Sequence, residues 1–295
     1  MTSSSLKKLS YAVLAGPSIL IYSLVIILPV VVSVVLGFTE WGGFGAPKFV
    51  GLANYVNMFK DPVFLLDLRN NGLIVAVSLF GQIPLGFVLA YFINRRLVHA
   101  GKFFEVMIFL PITISAIVVA ILWNRIFSPV GIYTEMMRDF LHDPRYVMMV
   151  SENRELAFFP ILFVILWMYT GLYMIIFLAN LQKIQRSTIE AAVIDGATEG
   201  QILGRIIIPA MVGVLFTTSV LAISGSLTSF ALIYAMTEGG PAHFTEVIAI
   251  YMYNNTFSYY RYGFGSAVSV VIVVLSMGLI SLVRSIFNRL ERRFE

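Results

Sequence analysis

The sequence has no cysteine, which excludes disulfides and thiolate metal sites. Charge is scarce too: Asp, Glu, Lys and Arg make up 12% of the 295 residues, against 59% apolar. A soluble domain carries about a quarter charged residues, so this balance, with a mean hydropathy of +0.88, is that of an integral membrane protein. Three histidines, His99, His142 and His243, are too scattered to suggest a metal cluster. The phosphate-binding patterns GxxxxGKS and GxxxxGKT are missing, as are HExxH and GxSxG, so neither nucleotide hydrolysis nor the common hydrolase chemistries have a foothold. Asn254-Asn255-Thr256 fits a glycosylation acceptor, a three-residue pattern too weak to use. The net charge of +4 is small, and nucleic acid is not an expected partner.

What is present is length of apolar chain. Crossing a hydrocarbon core takes about 20 helical residues, and six segments qualify: Tyr11–Phe38, Gly72–Ile93, Phe104–Trp123, Ala157–Ala179, Ile206–Ala235 and Gly263–Val283. The expected fold is therefore an all-α integral membrane protein of six spans, a single transmembrane domain over residues 1–295. The first segment follows Lys7 and Lys8 but is too long for a signal-peptide core and lacks a cleavage pattern. It reads as a retained span with kinks at Pro17 and Pro29. Apart from Glu105, one residue in from a segment end, no Asp, Glu, Lys, Arg or His falls inside these segments. Carriers coupled to protons or sodium commonly bury such a group, so a self-powered carrier is disfavoured. Basic residues give the orientation: segments on one side, including Arg95, Arg96, Lys102, Lys183, Arg186, Arg205 and the run to Arg293, carry 12 of the 20 Lys and Arg, and longer loops on the other carry 8. Both termini are expected in the cytoplasm.

One cytoplasmic loop has helix-start chemistry. Ser187-Thr-Ile-Glu190 reads as a capping box, with Ser187 accepting from the Glu190 N–H, and Gly196 suits a left-handed helix end. Thr198-Glu-Gly-Gln201 repeats the box, so a second helix begins at once and runs through Ile202, Ile206 and Ile207 to Pro209 at the membrane. Ile189, Ala192, Val193 and Ala197 form a narrow apolar face, and Glu190, Asp195 and Glu199 an acidic cluster. Capping boxes alone are equally compatible with an ordinary helical loop. A pair of capped helices held out from the bilayer makes a docking surface, which a non-transporting membrane scaffold or sensor could also use.

Glu190-Ala191-Ala192, then Gly196, then Ile206, Ile208 and Pro209 resembles the EAA signature of permeases in binding-protein-dependent ABC importers, with Ile in place of the usual Leu before the proline. Phe49-Val-Gly-Leu-Ala-Asn-Tyr55 with Met58-Phe59 and Asp61-Pro62 is similar to the first external loop of the carbohydrate-importing branch, the maltose, glycerol-3-phosphate and raffinose type. Thr237-Glu-Gly-Gly-Pro241, Tyr251, Tyr253, Phe257 and Tyr262-Gly-Phe-Gly-Ser-Ala267 resemble that branch near its end. Gln185 departs from it, since proline often stands there.

The resemblance implies a permease subunit, not itself an enzyme, in a bacterial-type inner membrane. ATP and magnesium would be bound by two cytoplasmic ATPase subunits, and this chain would hold no cofactor. Further implied partners are a second, similar permease forming a heterodimer, an extracytoplasmic sugar-binding protein delivering a sugar or oligosaccharide, and the bilayer. It assigns ATPase coupling to Glu190, Ala191, Ala192, Asp195 and Gly196, with Glu190 facing a basic residue of the ATPase and Gly196 shaping the bend. The external loop from Thr237 to Pro241 and the aromatics after it would touch the binding protein, although Gly-Gly-Pro is also an ordinary turn and Tyr259 and Tyr260 suit an interfacial belt. For substrate, Tyr169 and Tyr173 share one face of the fourth span and Ala222, Ser226 and Phe230 one face of the fifth. Ser224-Gly225-Ser226 is a candidate for irregular helix. These residues can line a sugar path or simply pack helices.

Overall fold

A computed structural model describes residues 14–143 and 157–294. Lys7, Lys8, Arg145 and Arg154, counted in the charge balance, lie outside the described residues, as do the first residues of the expected first span. The chain divides into two compact units, Met1–Asp61 with Met252–Val273 and Pro62–Tyr251 with Val274–Glu295.

In the first unit, α1 (Leu14–Gly37) is apolar all along, and none of its hydrophobic window is buried. It is followed by an antiparallel pair, β1 (Thr39–Glu40) and β2 (Lys48–Phe49), with Thr39 opposite Phe49, and by α2 (Ala53–Lys60). The buried Asn54 explains why this loop has its sequence: its amide donates to the carbonyls of Gly37 (2.9 Å) and Thr39 (2.8 Å), satisfying groups at the end of α1. A Cβ on Gly263 would lie 2.0 Å from the Thr39 carbonyl oxygen, so only glycine lets the start of the last helix approach there.

In the second unit, α3 (Pro62–Asn94) is a single helix. It begins ten residues before the expected span, and that extra length carries Asp67, Arg69, Asn70 and Asn71, the polar run that ended the apolar pattern. The statement that no ionisable group lies in a span is thereby corrected: Asp67 is fully buried in this helix. The expected third span is also corrected. It is two helices, α4 (Gly101–Thr113) and α5 (Ala116–Ile126), bent by 98° at Ile114–Ser115, where both residues leave helical geometry just after Pro111. α6 (Ile132–Leu141) precedes α7 (Phe159–Leu181). α7 is apolar on every side, as a buried helix must be, and α3, α4 and the fifth apolar segment pack around it. Small residues set the distances, as membrane helix contacts require: a Cβ on Gly171 would lie 2.2 Å from the Ile108 carbonyl oxygen of α4.

After α8 (Arg186–Ile194), α9 runs over residues 199–227. The expected irregularity at Ser224–Ser226 is displaced: the helix continues to Leu227 and breaks over Thr228–Phe230 before α10 (Ala231–Thr237). α11 covers 248–258 and α12 is Tyr262–Phe294. Three π-turns, Ser23–Ile27, Ser78–Gln82 and Leu203–Ile207, each end two residues before a proline, Pro29, Pro84 and Pro209. Proline has no N–H for the carbonyl four residues back and crowds it, so the residue before it bonds five back and the turn widens. This is the form the expected disturbance at Pro29 takes, whereas the described chain around Pro17 is regular α-helix.

Candidate functional site

The loop between α7 and α9 is a helix, a tight reversal and a second helix. Its first cap differs from expectation. α8 starts at Arg186 with Gln185 as N-cap and no side-chain cap, so Ser187 lies inside the helix and the first capping box does not form. The far end follows the sequence closely. Gly196 sits at φ +81°, its N–H donates to Val193 O (3.0 Å), and the Ala197 N–H donates to Ala192 O (2.9 Å), the pair of bonds of a Schellman ending. Space is not the reason for glycine here, because a Cβ would meet nothing within 4 Å; the left-handed backbone is. Thr198 then forms a complete capping box with Gln201, which satisfies N–H groups at the start of α9.

Packing divides the loop into two faces. Ile189, Ala192 and Ala197 press against a core that includes Met174, Phe177, Ile202 and Ile207. Val193 points the other way, 55% exposed, beside Ile194 at 85%, which corrects its place on the inward face. Of the five residues assigned to coupling, Glu190, Ala191, Asp195 and Gly196 are exposed and Ala192 is half-buried. The outer face thus offers two aliphatic side chains flanked by two carboxylates.

Glu199 is not part of that acidic face. The Tyr91 hydroxyl donates to its Oε2 (2.7 Å), and Arg95 pairs with its other oxygen. The carboxylate pushes the Arg95 pKa up, and the hydrogen bonds from Arg95 and Tyr91 hold the Glu199 carboxyl below the usual carboxylate range. It ties α9 to the end of α3. Tyr91 and Arg95 are four apart and so share a helix face, a signal hidden by reading Arg95 only as an orienting charge.

The second site is a cavity of about 380 Å³ between α3, α7, α9 and α10. Tyr169, Tyr173, Ser226 and Phe230 all line it, together with Ser78, Gln82, Gly225, Thr228 and Ser229. Neither tyrosine hydroxyl has a hydrogen-bond partner among the described residues. The Ser226 hydroxyl donates to Ala222 O (2.7 Å) and lies 3.1 Å from Ser78 Oγ. Gln82 Nε2 donates to Ile165 O (2.7 Å), and Phe230 stacks on Tyr234 at 5.0 Å. Asn71 fixes the wall: its amide donates to Ser226 O (2.8 Å), and its carbonyl accepts from the Ile248 N–H (2.8 Å). Flat aromatic faces, hydroxyls and one amide suit a neutral, hydroxyl-rich molecule. Ser78 and Gln82 had no advance signal, because only charged residues stand out within an apolar run.

Residues 82–295 match the family described as binding-protein-dependent transport system inner membrane component. The chain belongs to that family. Within it, the permease is 31% identical over 272 residues to the lactose transport system permease protein LacF of Rhizobium radiobacter, covering 88% of each chain. It is 30% identical over 263 residues to the probable ABC transporter permease protein YurN of Bacillus subtilis, covering 88% of this chain and 90% of that one. In structure the permease is similar to a chain of a bacterial alginate ABC transporter in complex with alginate pentasaccharide-bound periplasmic protein. The TM-score is 0.81 at 22% identity, over 97% of this chain and 96% of that one, a likeness of fold.

Other residues of the permease quoted for the resemblance have structural work. Tyr251 is buried and its ring lies 5.8 Å from Phe64, so it is a core residue and not a surface for a binding protein. The loop after Thr237 is held from α3, where the Asn70 amide donates to Phe244 O (3.1 Å) and Glu246 O (2.8 Å). Tyr259 and Tyr260 are exposed.

Proposed function

We propose that this permease imports a sugar or oligosaccharide with energy supplied by separate ATPase subunits, the chain itself catalysing no reaction and holding no cofactor. Its partners are a second, similar permease, two cytoplasmic ATPases that bind ATP and magnesium, and an extracytoplasmic binding protein. Both termini face the cytoplasm, the chain works as one transmembrane domain, and α8 seats in the ATPase. The observation that carries the reading is convergence. Tyr169 and Tyr173 from α7, Ser226 from the end of α9 and Phe230 from the break after it meet in one cavity, while the other end of α9 adjoins the coupling loop. A helix that lines the substrate space and is capped into the docking surface gives closure of the ATPases a direct route to the substrate.

The chemistry of the cavity supports a carbohydrate. Phe230 and the two α7 tyrosines offer flat surface for sugar C–H faces, and the two tyrosine hydroxyls offer hydrogen bonds that a neutral polyol completes. Relatives named for lactose fit this class.

The test is reconstitution with the ATPases, second permease and binding protein in proteoliposomes. Sugar loaded on the binding protein should stimulate ATP hydrolysis and accumulate inside. Tyr169→Ala and Ser226→Leu should each reduce uptake while the ATPases stay bound. Normal uptake in both variants would return these residues to helix packing, and ATP hydrolysis indifferent to every sugar would favour a scaffold.

A further inference from the structure

A second cavity, of about 320 Å³, opens where α3 ends, α7 ends and α8 begins. Its polar lining is Asn94, Arg95, Arg96, Gln182, Arg186 and Glu190. Three arginines and one glutamate line it, and the arginines come from two separate helix ends. Arg96 and Arg186 have no ion-pair partner among the described residues, and the Nε of Arg95 is buried without a hydrogen bond. Arg96 is also held at φ +54°. The N–H of Leu97 donates to Phe92 O and that of Arg96 to Ile93 O, so Arg96 occupies the left-handed position of a helix ending that glycine normally fills. A residue kept at a disfavoured backbone position points to a use for its side chain.

We propose that this cavity is a binding site for a phosphate-bearing anion. Guanidinium forks match phosphate oxygens in pairs, and the amides of Asn94 and Gln182 supply neutral donors. Arg95 is shared: it holds Glu199 on α9, so an anion that draws its guanidinium into the cavity competes with the contact that ties the coupling loop to α3. The site is therefore placed to modulate coupling without touching the sugar cavity. The phosphate can come from a soluble metabolite or from a lipid headgroup, since α3 and α7 both reach the membrane surface at this point. Binding rests on side chains alone; only the compartment of the anion depends on the orientation proposed above.

The experiment uses the full-length chain in phosphatidylcholine nanodiscs, with ATPases left out because they hold phosphate themselves. Inorganic phosphate and a hexose 6-phosphate are titrated by calorimetry against chloride at matched ionic strength. Wild type should bind phosphate, and Arg96→Gly, which keeps the backbone preference and removes the charge, should weaken it roughly tenfold or more. Glu199→Gln, which releases Arg95, should tighten it. Adding phosphatidylglycerol distinguishes the sources: lipid retained in native mass spectra of wild type but not of Arg96→Gly, with loss of phosphate binding, assigns a headgroup. Phosphate binding unaffected by that lipid assigns a soluble anion. Absence of both phosphate binding and lipid retention, or binding equal in wild type and both variants, overturns the proposal. Because no transport is read, a failure here is separable from a failure of the importer reading.

Discussion

The loop around α8 and the cavity between α3, α7, α9 and α10 are opposite kinds of site. The loop is shaped by contacts between neighbours in sequence: a left-handed glycine, two bonds back into α8, and a capping box of Thr198 with Gln201. Its outer face is bare, ending in the exposed Val193 and Ile194. The cavity is shaped by contacts more than eighty residues apart, through Asn71 to Ser226 and Gln82 to Ile165, and its deepest polar residues, Ser78, Gln82 and Ser226, are buried. A local turn of rigid backbone is suited to transmitting force to another protein. A non-local arrangement of side chains is suited to enclosing a small molecule and to changing when the helices around it shift.

This contrast makes the two sites breakable in different ways. The largest effect should follow Asn71→Leu. It leaves a carbonyl and an amide N–H buried without partners, each at about 1–3 kcal/mol, so the full-length protein in detergent should melt well below wild type and lose uptake. Smaller is Gly196→Ala, where a Cβ in left-handed backbone costs roughly 1–2 kcal/mol in a segment that can relax locally. The melting temperature should move little, whereas ATP-driven uptake falls because the loop no longer presents Glu190 and Ile194 together. Gly196→Asn, better tolerated at such a position, should recover much of the uptake. Smallest in stability is Glu199→Gln. The Glu199 carboxylate is more than half exposed, at 56%, so solvent screens its pair with Arg95 to about 0–1 kcal/mol and global stability should be unchanged. ATPase stimulation by loaded binding protein should nonetheless weaken, since α9 loses its tie to α3. A large loss of melting temperature in Glu199→Gln, or none in Asn71→Leu, would reverse the assignment of local and non-local support.

Legibility in the sequence follows the same division. Gly196, the Thr198 box and the six apolar segments could be read because each depends on residues within a few positions. Ser187-Thr-Ile-Glu190 has the letters of a capping box, yet the N-cap of α8 lies two residues earlier, at an extended Gln185. The length of α3 was missed because Asp67, Arg69, Asn70 and Asn71 interrupt hydrophobicity, although the two asparagines serve as buried staples. The 98° bend between α4 and α5 follows Pro111 and a Ser115 cap, signals that a long apolar run outweighs. In the cavity, the four side chains expected from helical spacing come together, whereas Ser78 and Gln82 depended on the packing of α3 against α7 and α9. Glu199 shows the reverse error: an acid in an acidic run was grouped with its neighbours, and its partners, Tyr91 and Arg95, lie about a hundred residues earlier.

The central claim is that α8 carries the work of the ATPases to the cavity, and its most direct test is co-purification with uptake measured on the same preparation. Wild type, Glu190→Arg and Tyr169→Ala are expressed with the ATPases, second permease and binding protein. The account predicts that Glu190→Arg inserts normally, loses the ATPases and transports nothing, while Tyr169→Ala keeps the ATPases and transports poorly. Retention of the ATPases and normal uptake by Glu190→Arg would contradict it.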